Sequence, residues 1–180
     1  MTRYIAFLRA INVGGHTVKM DELRVLFASM GFSAVETFIA SGNVIFTTAA
    51  ADAPALQQRI EGELQRALGY AVATFLRTDA EVTAVARYTP FPPAVMATAG
   101  ALNVAFLSEP LTAQDEEKVM ALRTGIDDFH VHGREVYWLC QTKQSESTFS
   151  NVLFERVIGK RATFRGMNTV QKLAAKYPPL

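Results

Sequence analysis

Hydrophobic positions along the chain recur with two periods, one of two residues and one of about 3.6, which are typical of strands and helices. Residues 4–11 are rich in strand-forming side chains and end at the turn-prone stretch Asn12-Val-Gly-Gly15. Apolar residues then recur at helical spacing and stop before Gly31, which suits the left-handed position after a helix. The pattern predicts a strand followed by a helix.

Two further strand-like runs, residues 35–40 and 44–48, are joined by Ser41-Gly42-Asn43, whose Gly-Asn pair is typical of a tight hairpin. An apolar stripe over residues 54–68 predicts a second helix, residues 72–77 read as a fourth strand, and Asp79 opens a short helical stretch. The order β-α-β-β-α-β-α is the split β-α-β, or ferredoxin-like, arrangement with one added helix.

The same order of elements returns in the second half of the chain, beginning with Val104–Leu107, which repeats the apolar part of the first strand. Landmarks pair across the halves with a steadily falling offset: Gly31 with Gly125, Gly42 with Gly133, Gly69 with Gly159, and Ala73-Thr-Phe75 with Ala162-Thr-Phe164. We predict an α+β fold of two tandem ferredoxin-like (split β-α-β) subdomains, with antiparallel sheets and helices packed on one face. The predicted boundaries are residues 1–87, a linker at 88–101, and residues 102–180.

The charge balance and the cysteine content limit the expected binding partners and the cellular location of the protein. The 180 residues carry a formal net charge of +1, so no global excess indicates nucleic acid or an anionic membrane. The single cysteine, Cys140, lies in an apolar run and is interpreted as a buried, inert thiol, which favours a cytosolic (cytoplasmic) location. The chain shows no leader pattern and no apolar run of about 18 residues, so we expect no membrane partner.

One candidate site follows from the predicted topology. The end of the first strand and the hairpin between the second and third strands share an edge of a ferredoxin-like sheet. We therefore expect two stretches to lie on one rim, contributing Arg9, Asn12, Gly14, Gly15, Ser41 and Asn43. The Asn12–Lys19 loop is the main insertion relative to the second half, which indicates a role besides folding.

The chemistry of this rim suits an anion. Gly14-Gly15 would let backbone amides approach an anion ahead of a helix N-terminus, and Arg9 supplies a planar fork for phosphate or carboxylate. The expected partner is a small anionic or nucleotide-like ligand, and no cofactor is expected. The spacing matches neither the dinucleotide fingerprint nor the phosphate loop. The alternative is a tight turn that needs glycine, in which Arg9 and Asn43 only tie two loops down by hydrogen bonds.

A second polar cluster follows the last predicted strand: Arg165, Asn168, Thr169 and Lys172. Asn168 is placed to cap the final helix. From Arg156 to the end of the chain there are six basic residues and no acid. The alternative function is therefore a nucleic-acid or protein interaction module that uses this basic stretch, and a third is an oligomer surface built by both halves.

Catalytic and metal sites are not predicted. His130 and His132 point to one face of a strand, but no third metal ligand accompanies them. Ser41 beside Gly42 lacks both the Gly-x-Ser-x-Gly pattern and an evident acid-base partner.

Three motifs resemble a bacterial family known only as domain-of-unknown-function family 1697: Arg9-Ala-Ile-Asn-Val-Gly-Gly15, Ser41-Gly-Asn-Val44 and Arg165-Gly-Met-Asn-Thr-Val170. The chain has Ala10 where the family pattern has glycine, and Gly166 and Met167 where it has asparagine and an aromatic residue. The resemblance covers essentially the whole chain and implies two related ferredoxin-like halves, with no established activity.

Overall fold

The computed structural model describes residues 1–12, 14–39 and 42–180. The elements of the first half are β1 (Thr2–Leu8), α1 (Met20–Ser29), β2 (Ser33–Thr37), β3 (Asn43–Thr48), α2 (Ala53–Leu68), β4 (Thr74–Thr78) and α3 (Asp79–Arg87). A short helix, α4 (Pro93–Thr98), lies within the stretch predicted to be a linker.

The second half shows the same order of strands and helices, and its first two helices are shorter than those of the first half. Its elements are β5 (Ala101–Phe106), α5 (Ala113–Met120), β6 (Asp127–His132), β7 (Glu135–Cys140), a 3-10 turn (Gln144–Glu146), α6 (Asn151–Ile158), β8 (Thr163–Gly166) and α7 (Met167–Lys176). Since α7 begins at Met167, Asn168 lies inside the helix, and the prediction that Asn168 caps it is wrong.

The strands form two four-stranded antiparallel sheets, ordered β2-β3-β1-β4 and β6-β7-β5-β8. Together with the helices they make an α+β fold. In each sheet the first strand of the half lies between the third and fourth strands. The end of β1 is consequently a neighbour of the start of β3, where Phe7 pairs with Asn43.

Each sheet packs two helices against one face: α1 and α2 in the first half, and α5 and α6 in the second. In the first half, Ala6, Phe46 and Leu76 of the sheet lie in one apolar cluster with Phe27 of α1 and Ile60 of α2. The alternate residues of β1, including Ile5 and Phe7, point to the opposite face and are also buried. β1, β3 and β4 are therefore buried on both faces over most of their length, whereas the edge strand β2 is largely exposed.

The second half has an equivalent core. Trp138 and Val136 of β7 lie in one cluster with Val119 of α5 and Phe154 of α6. Cys140 belongs to the same cluster and is fully buried. The Trp138 indole N–H donates to Asp127, 2.9 Å away, which satisfies the polar atom that this large side chain brings into the core.

The ends of the second and sixth helices use the same capping chemistry. Asp52 accepts the Ala55 N–H before α2, and Ser150 accepts the Leu153 N–H before α6. Gly69 and Gly159 end these helices in the left-handed conformation, as glycine allows without strain. Thus the predicted pairing of Gly69 with Gly159 corresponds to two equivalent helix ends.

The strand registers correct two of the other predicted pairings. When Ile5 is aligned with Val104, their ladder partners Arg77 and Arg165 become equivalent, which aligns Phe75 with Thr163 and not with Phe164. The Ala-Thr-Phe match is therefore one residue out of register.

The predicted pairing of the hairpin glycines, Gly42 with Gly133, is also out of register by one residue. The Leu8 N–H donates to the carbonyl of Gly42, and the Leu107 N–H donates to the carbonyl of Arg134. Gly42 is therefore equivalent to Arg134 and not to Gly133.

Contacts group the chain into two compact units. The first comprises Met1–Ala84 with Leu173–Leu180, and the second comprises Val85–Lys172. The sequence-based boundaries instead place the last eight residues in the second half.

The C-terminal segment is tied to the first unit by several polar contacts. The Arg3 guanidinium donates to the Pro178 carbonyl over 2.8 Å, and the Leu180 N–H donates to Asp79 over 3.1 Å. The Tyr177 hydroxyl donates to Glu36 over 2.7 Å. The first unit is therefore completed by residues from the far end of the chain.

Candidate functional site

Two connections meet at one end of the first sheet: the β1–α1 loop (residues 9–19) and the β2–β3 turn (residues 38–42). The Leu8 N–H donates to the Gly42 carbonyl over 2.9 Å, and on the other side of the strand the Arg9 N–H donates to Ala73 over 2.9 Å. The neighbourhood of these two bends that the sequence predicts is therefore present. A ligand-binding role for their residues stays a prediction.

Gly42 allows the close approach of the two bends. A Cβ at this position would stand 2.9 Å from Cγ2 of Ile11 and 3.2 Å from Cβ of Leu8, both nearer than ordinary side-chain contacts. Its φ of 80° lies in the left-handed region, which glycine adopts without a steric cost. Both the conformation and the contact require glycine here.

Asn43 closes the β2–β3 turn from its first strand residue. Its side chain is fully buried and donates from Nδ2 to the Phe38 carbonyl over 2.9 Å, while the Phe38 N–H donates to the Asn43 carbonyl. This matches the alternative role in which Asn43 ties down the turn. Ser41, the other predicted residue of this turn, lies outside the described residues.

The β1–α1 loop is fixed at both ends. Asn12 accepts the Val18 N–H at Oδ1 over 2.7 Å, which closes the loop upon itself. The Tyr70 hydroxyl, beyond the end of α2, donates to the Ile11 carbonyl over 3.0 Å. His16 stacks on the Tyr70 ring with 3.8 Å between ring centroids. Burial raises the pKa of Tyr70, so the hydroxyl keeps its proton as a donor.

Between these anchors, Gly14 and Gly15 are exposed. Both have left-handed φ values, 68° and 85°, and a Cβ built on either would meet no atom within 4 Å. Successive residues in such turn conformations can direct neighbouring N–H groups toward one point, an arrangement that binds anions. The half-buried Arg9 follows β1 directly at the start of the same loop.

The N-terminus of α1 contributes less positive potential than the sequence indicates. Asp21 and Glu22 lie in its first turn, and Glu22 accepts the Lys19 N–H over 3.1 Å. These carboxylates already complement the helix dipole. An anion at this rim would therefore be held by the loop and by Arg9 rather than by the helix end.

Among the described residues, three that carry side chains have left-handed φ values: Ala34 lies within β2, and the other two lie at the two bends. Ala10, with φ of 51°, and Ile39, with φ of 61°, adopt left-handed conformations that side-chain-bearing residues rarely occupy. The φ of Ala10 is one that glycine would adopt without a steric cost. Strain of this kind often lies at functional sites, where surrounding structure holds it in place.

The second predicted cluster does not form a joint surface around Arg165. This side chain is only 7% exposed, and it donates from Nη1 to the Thr163 hydroxyl and the Phe164 carbonyl, both over 2.8 Å. Burial lowers the pKa of Arg165 to about 10. Asn168, in contrast, is exposed on the first turn of α7.

The basic C-terminal stretch is partly occupied by ion pairs. Lys160 lies 3.2 Å from Asp115, and Lys176 lies 3.4 Å from Glu36. Lys160 and Lys176 thus form surface ion pairs, and Arg165 is buried, so three of the six basic residues contact other groups of the protein.

The two histidines of β6 contact Tyr88. The Tyr88 hydroxyl lies 2.7 Å from Nε2 of His130, and the Tyr88 ring stacks on His132 with 4.0 Å between centroids. Among the described residues, no group of three histidine, cysteine or acidic side chains is arranged to hold a metal ion. In the same ranges no helix combines the length and apolar character needed to cross a membrane.

Sequence reasoning did not find three features of the rim. These are the left-handed Ala10 and Ile39 and the His16–Tyr70 stack. The missing glycine after Arg9 was a signal for Ala10. Nothing in the sequence paired His16 with Tyr70, because the two lie 54 positions apart in different connections.

The chain belongs to a known protein family of unknown function. Residues 1–137 match the family model described as protein of unknown function (DUF1697), and the chain belongs to that family. Among solved structures, it is similar to the one described as conserved bacterial protein SP0830 from Streptococcus pneumoniae. The two share 23% sequence identity over 98% of each chain, with a TM-score of 0.80, which shows a shared fold. Comparison with curated proteins finds no match.

Proposed function

We propose that the protein binds a small anionic or nucleotide-like ligand at the rim formed by the β1–α1 loop and the β2–β3 turn. The observation that carries this proposal is the direct junction of the two bends, through the Leu8–Gly42 hydrogen bond and the close packing of Gly42 on Ile11. Arg9, Asn12, Gly14, Gly15, Ser41 and Asn43 are its proposed residues.

The roles within this set differ. Gly14 and Gly15 present amides, and Arg9 supplies the charge, because a guanidinium pairs with phosphate or carboxylate in a two-pronged geometry. Asn12 and Asn43 position the loop and the turn through the bonds to Val18 and Phe38. Their contribution to binding is pre-organisation, which lowers the entropy lost when a ligand is held.

We further propose that the two halves are tandem ferredoxin-like copies. The supporting observations are the shared strand order, the equivalent bonds from Leu8 and Leu107, and the equivalent buried arginines, Arg77 and Arg165. On this view the second copy shows what the fold needs, and the longer connections of the first copy are additions available for binding. The single buried Cys140 supports a cytosolic setting.

The basic C-terminal stretch is not proposed as a nucleic-acid surface. Strong binding to phosphate backbones needs several available cations, and Lys160, Arg165 and Lys176 are already engaged. Asn168 and Arg165 are accordingly left out of the ligand proposal for the rim.

A ligand-induced melting screen tests the proposal. The full chain is heated with inorganic phosphate, pyrophosphate, nucleoside mono-, di- and triphosphates, and dicarboxylates. A ligand at about 100 times its dissociation constant stabilises the folded state by about 2.7 kcal/mol, which raises the melting temperature by a measurable amount. Arg9→Ala should abolish the increase.

The control is Arg66→Ala, because Arg66 is an exposed arginine of the same unit that pairs with its helix neighbour Glu63. This variant should keep the ligand response of the wild type. An absence of any shift for the wild type at millimolar ligand, or an equal loss in both variants, would contradict the proposal.

A further inference from the structure

A second cleft, of about 460 Å³, lies wholly within the second unit, between the start of β5, the 3-10 turn and the start of α7. Its volume falls within the range of about 300–1,000 Å³ typical of small-molecule sites. Within the described part of the chain, no charged side chain lines it. Its polar side chains are four carboxamides: Asn103, Gln144, Asn168 and Gln171.

Two of the carboxamides are held in place. Asn103, only 8% exposed, donates from Nδ2 to Oε1 of Gln144 over 3.2 Å. The Oδ1 of Asn103 lies on the Gly166 side of the cleft, 3.8 Å from where a Cβ of Gly166 would stand. The Asn103–Gln144 pair therefore presents both acceptors and donors with little freedom left to lose.

The other two carboxamides come from α7. Asn168 and Gln171 lie three residues apart, so they occupy the same side of the helix, and both are exposed. Two methionines, Met96 of α4 and Met167 of α7, also line the cleft. Methionine sulfur makes favourable contacts with aromatic rings and adapts to their shape.

A site that offers carboxamides and no charged side chains favours some nucleobases over others. Asparagine and glutamine pair with adenine through one donor and one acceptor, at N7 and the N6 amino group. Guanine is usually read by arginine or lysine, and cytosine by a carboxylate. We propose that this cleft binds an adenine ring, with the carboxamides reading its polar edge and Met96 and Met167 contacting its faces. This inference rests on residues of the second unit alone and does not depend on the rim proposal.

Calorimetric titration of the full chain with adenosine, guanosine, cytidine and uridine tests the inference, since these nucleosides carry no phosphate for the rim to bind. Adenosine should bind at least about tenfold more tightly than guanosine, the preference expected from one well-placed bidentate pair. Gln171→Leu should weaken adenosine binding about tenfold, and it removes an exposed amide without disturbing the core. Gln114→Leu, at an exposed position of α5, is the matched control and should bind as the wild type does.

Asn103→Asp tests the buried pair and is accompanied by a melting curve to show that the variant folds. In a folded variant it should weaken adenosine binding, because the carboxylate can no longer donate to Oε1 of Gln144 and the Gln144 carboxamide loses its fixed orientation. Lack of adenosine binding at about 10 mM, far above the dissociation constants of specific sites, would overturn the inference. Equal affinity for all four nucleosides, or a loss caused by Arg9→Ala but not by Gln171→Leu, would overturn it too and leave the rim proposal standing.

Discussion

The two units close the same end of their sheets in different ways. In the first, eleven residues (9–19) connect β1 to α1 and five (38–42) connect β2 to β3. In the second, six residues (107–112) and two residues (133–134) make the equivalent connections. The hydrogen bonds from Leu8 and Leu107 are nevertheless the same. The fold therefore does not require the longer connections.

The conformations of these connections differ as well. The first unit places left-handed residues in both bends: Ala10, Gly14, Gly15, Ile39 and Gly42. In the matching connections of the second unit, Gly133 alone among the described residues has a positive φ. Longer connections and left-handed backbone thus coincide at one end of the first unit, which is the pattern expected of a binding site.

The largest expected effect is at the junction of the bends. Gly42→Ala should lower the free energy of unfolding by about 3 kcal/mol, since it adds left-handed strain and forces a Cβ against Ile11 and Leu8. Gly133→Ala should cost about 1 kcal/mol, because its Cβ would meet only the Glu135 carboxylate, at 3.5 Å. Urea denaturation measures both. Equal costs would mean that the junction of the first unit is not tighter than that of the second.

The second-largest effect on stability is expected at Asn43, the buried side-chain amide of the β2–β3 turn. Asn43→Ala should lower the free energy of unfolding by about 2 kcal/mol, because the donor to the Phe38 carbonyl is lost from a fully buried site. Asn43→Asp preserves the volume but replaces the donor with an acceptor, so it should cost at least as much. If Asn43→Asp were harmless in urea denaturation, the hydrogen bond would not be what closes the turn.

The C-terminal segment offers a pH test of the first unit. The hydrogen bond from Tyr177, followed by the interaction with Lys176, lowers the pKa of Glu36. A carboxyl whose pKa is lowered by folding stabilises the protein above its unfolded pKa, near 4.5, and that stability is lost as the pH falls through the folded value.

Tyr177→Phe should therefore cost about 1 kcal/mol at neutral pH, a figure reduced for the half-exposed Glu36. The cost should shrink below pH 4, as followed by denaturation at several pH values. A cost that is the same at pH 3 and pH 7 would assign the effect to packing of the ring.

The smallest effect concerns the strained loop. Ala10→Gly should raise the free energy of unfolding by about 0.5 kcal/mol, since relief of left-handed strain exceeds the entropy gained by the unfolded chain. Ala67→Gly, at an exposed position inside α2, should instead lower it by about 1 kcal/mol. Loss of stability in both variants would show that Ala10 carries no strain.

Much of this architecture was predictable because hydrophobic periods and turn residues determine the order of elements. The meeting of the two bends followed from that order. The register of the strands could not be predicted in this way. Because β4 is buried on both faces, it lacks the alternation of apolar and polar residues that would fix its position to within one residue. This explains why Phe75 was paired with Phe164 although the ladders align it with Thr163.

The candidate site was only partly predictable for a related reason. Composition around Arg165 indicated a basic surface, but burial depends on which strand face a residue occupies, and that depends on register. The contact between His16 and Tyr70 depends on loop geometry that no local pattern encodes. The glycine motifs marked the rim, whereas the amide-lined cleft comes from four separate segments with no shared motif.

The most direct test of the central claim is an amide chemical-shift titration of the full chain with inorganic pyrophosphate. We expect saturable shifts of the Gly14, Gly15 and Gly42 amides, with no matching shift at Gly133 and loss of the response in Arg9→Ala. Shifts that appear equally at Gly133, or that grow without saturation at all four glycines, would contradict a binding site at the rim of the first unit.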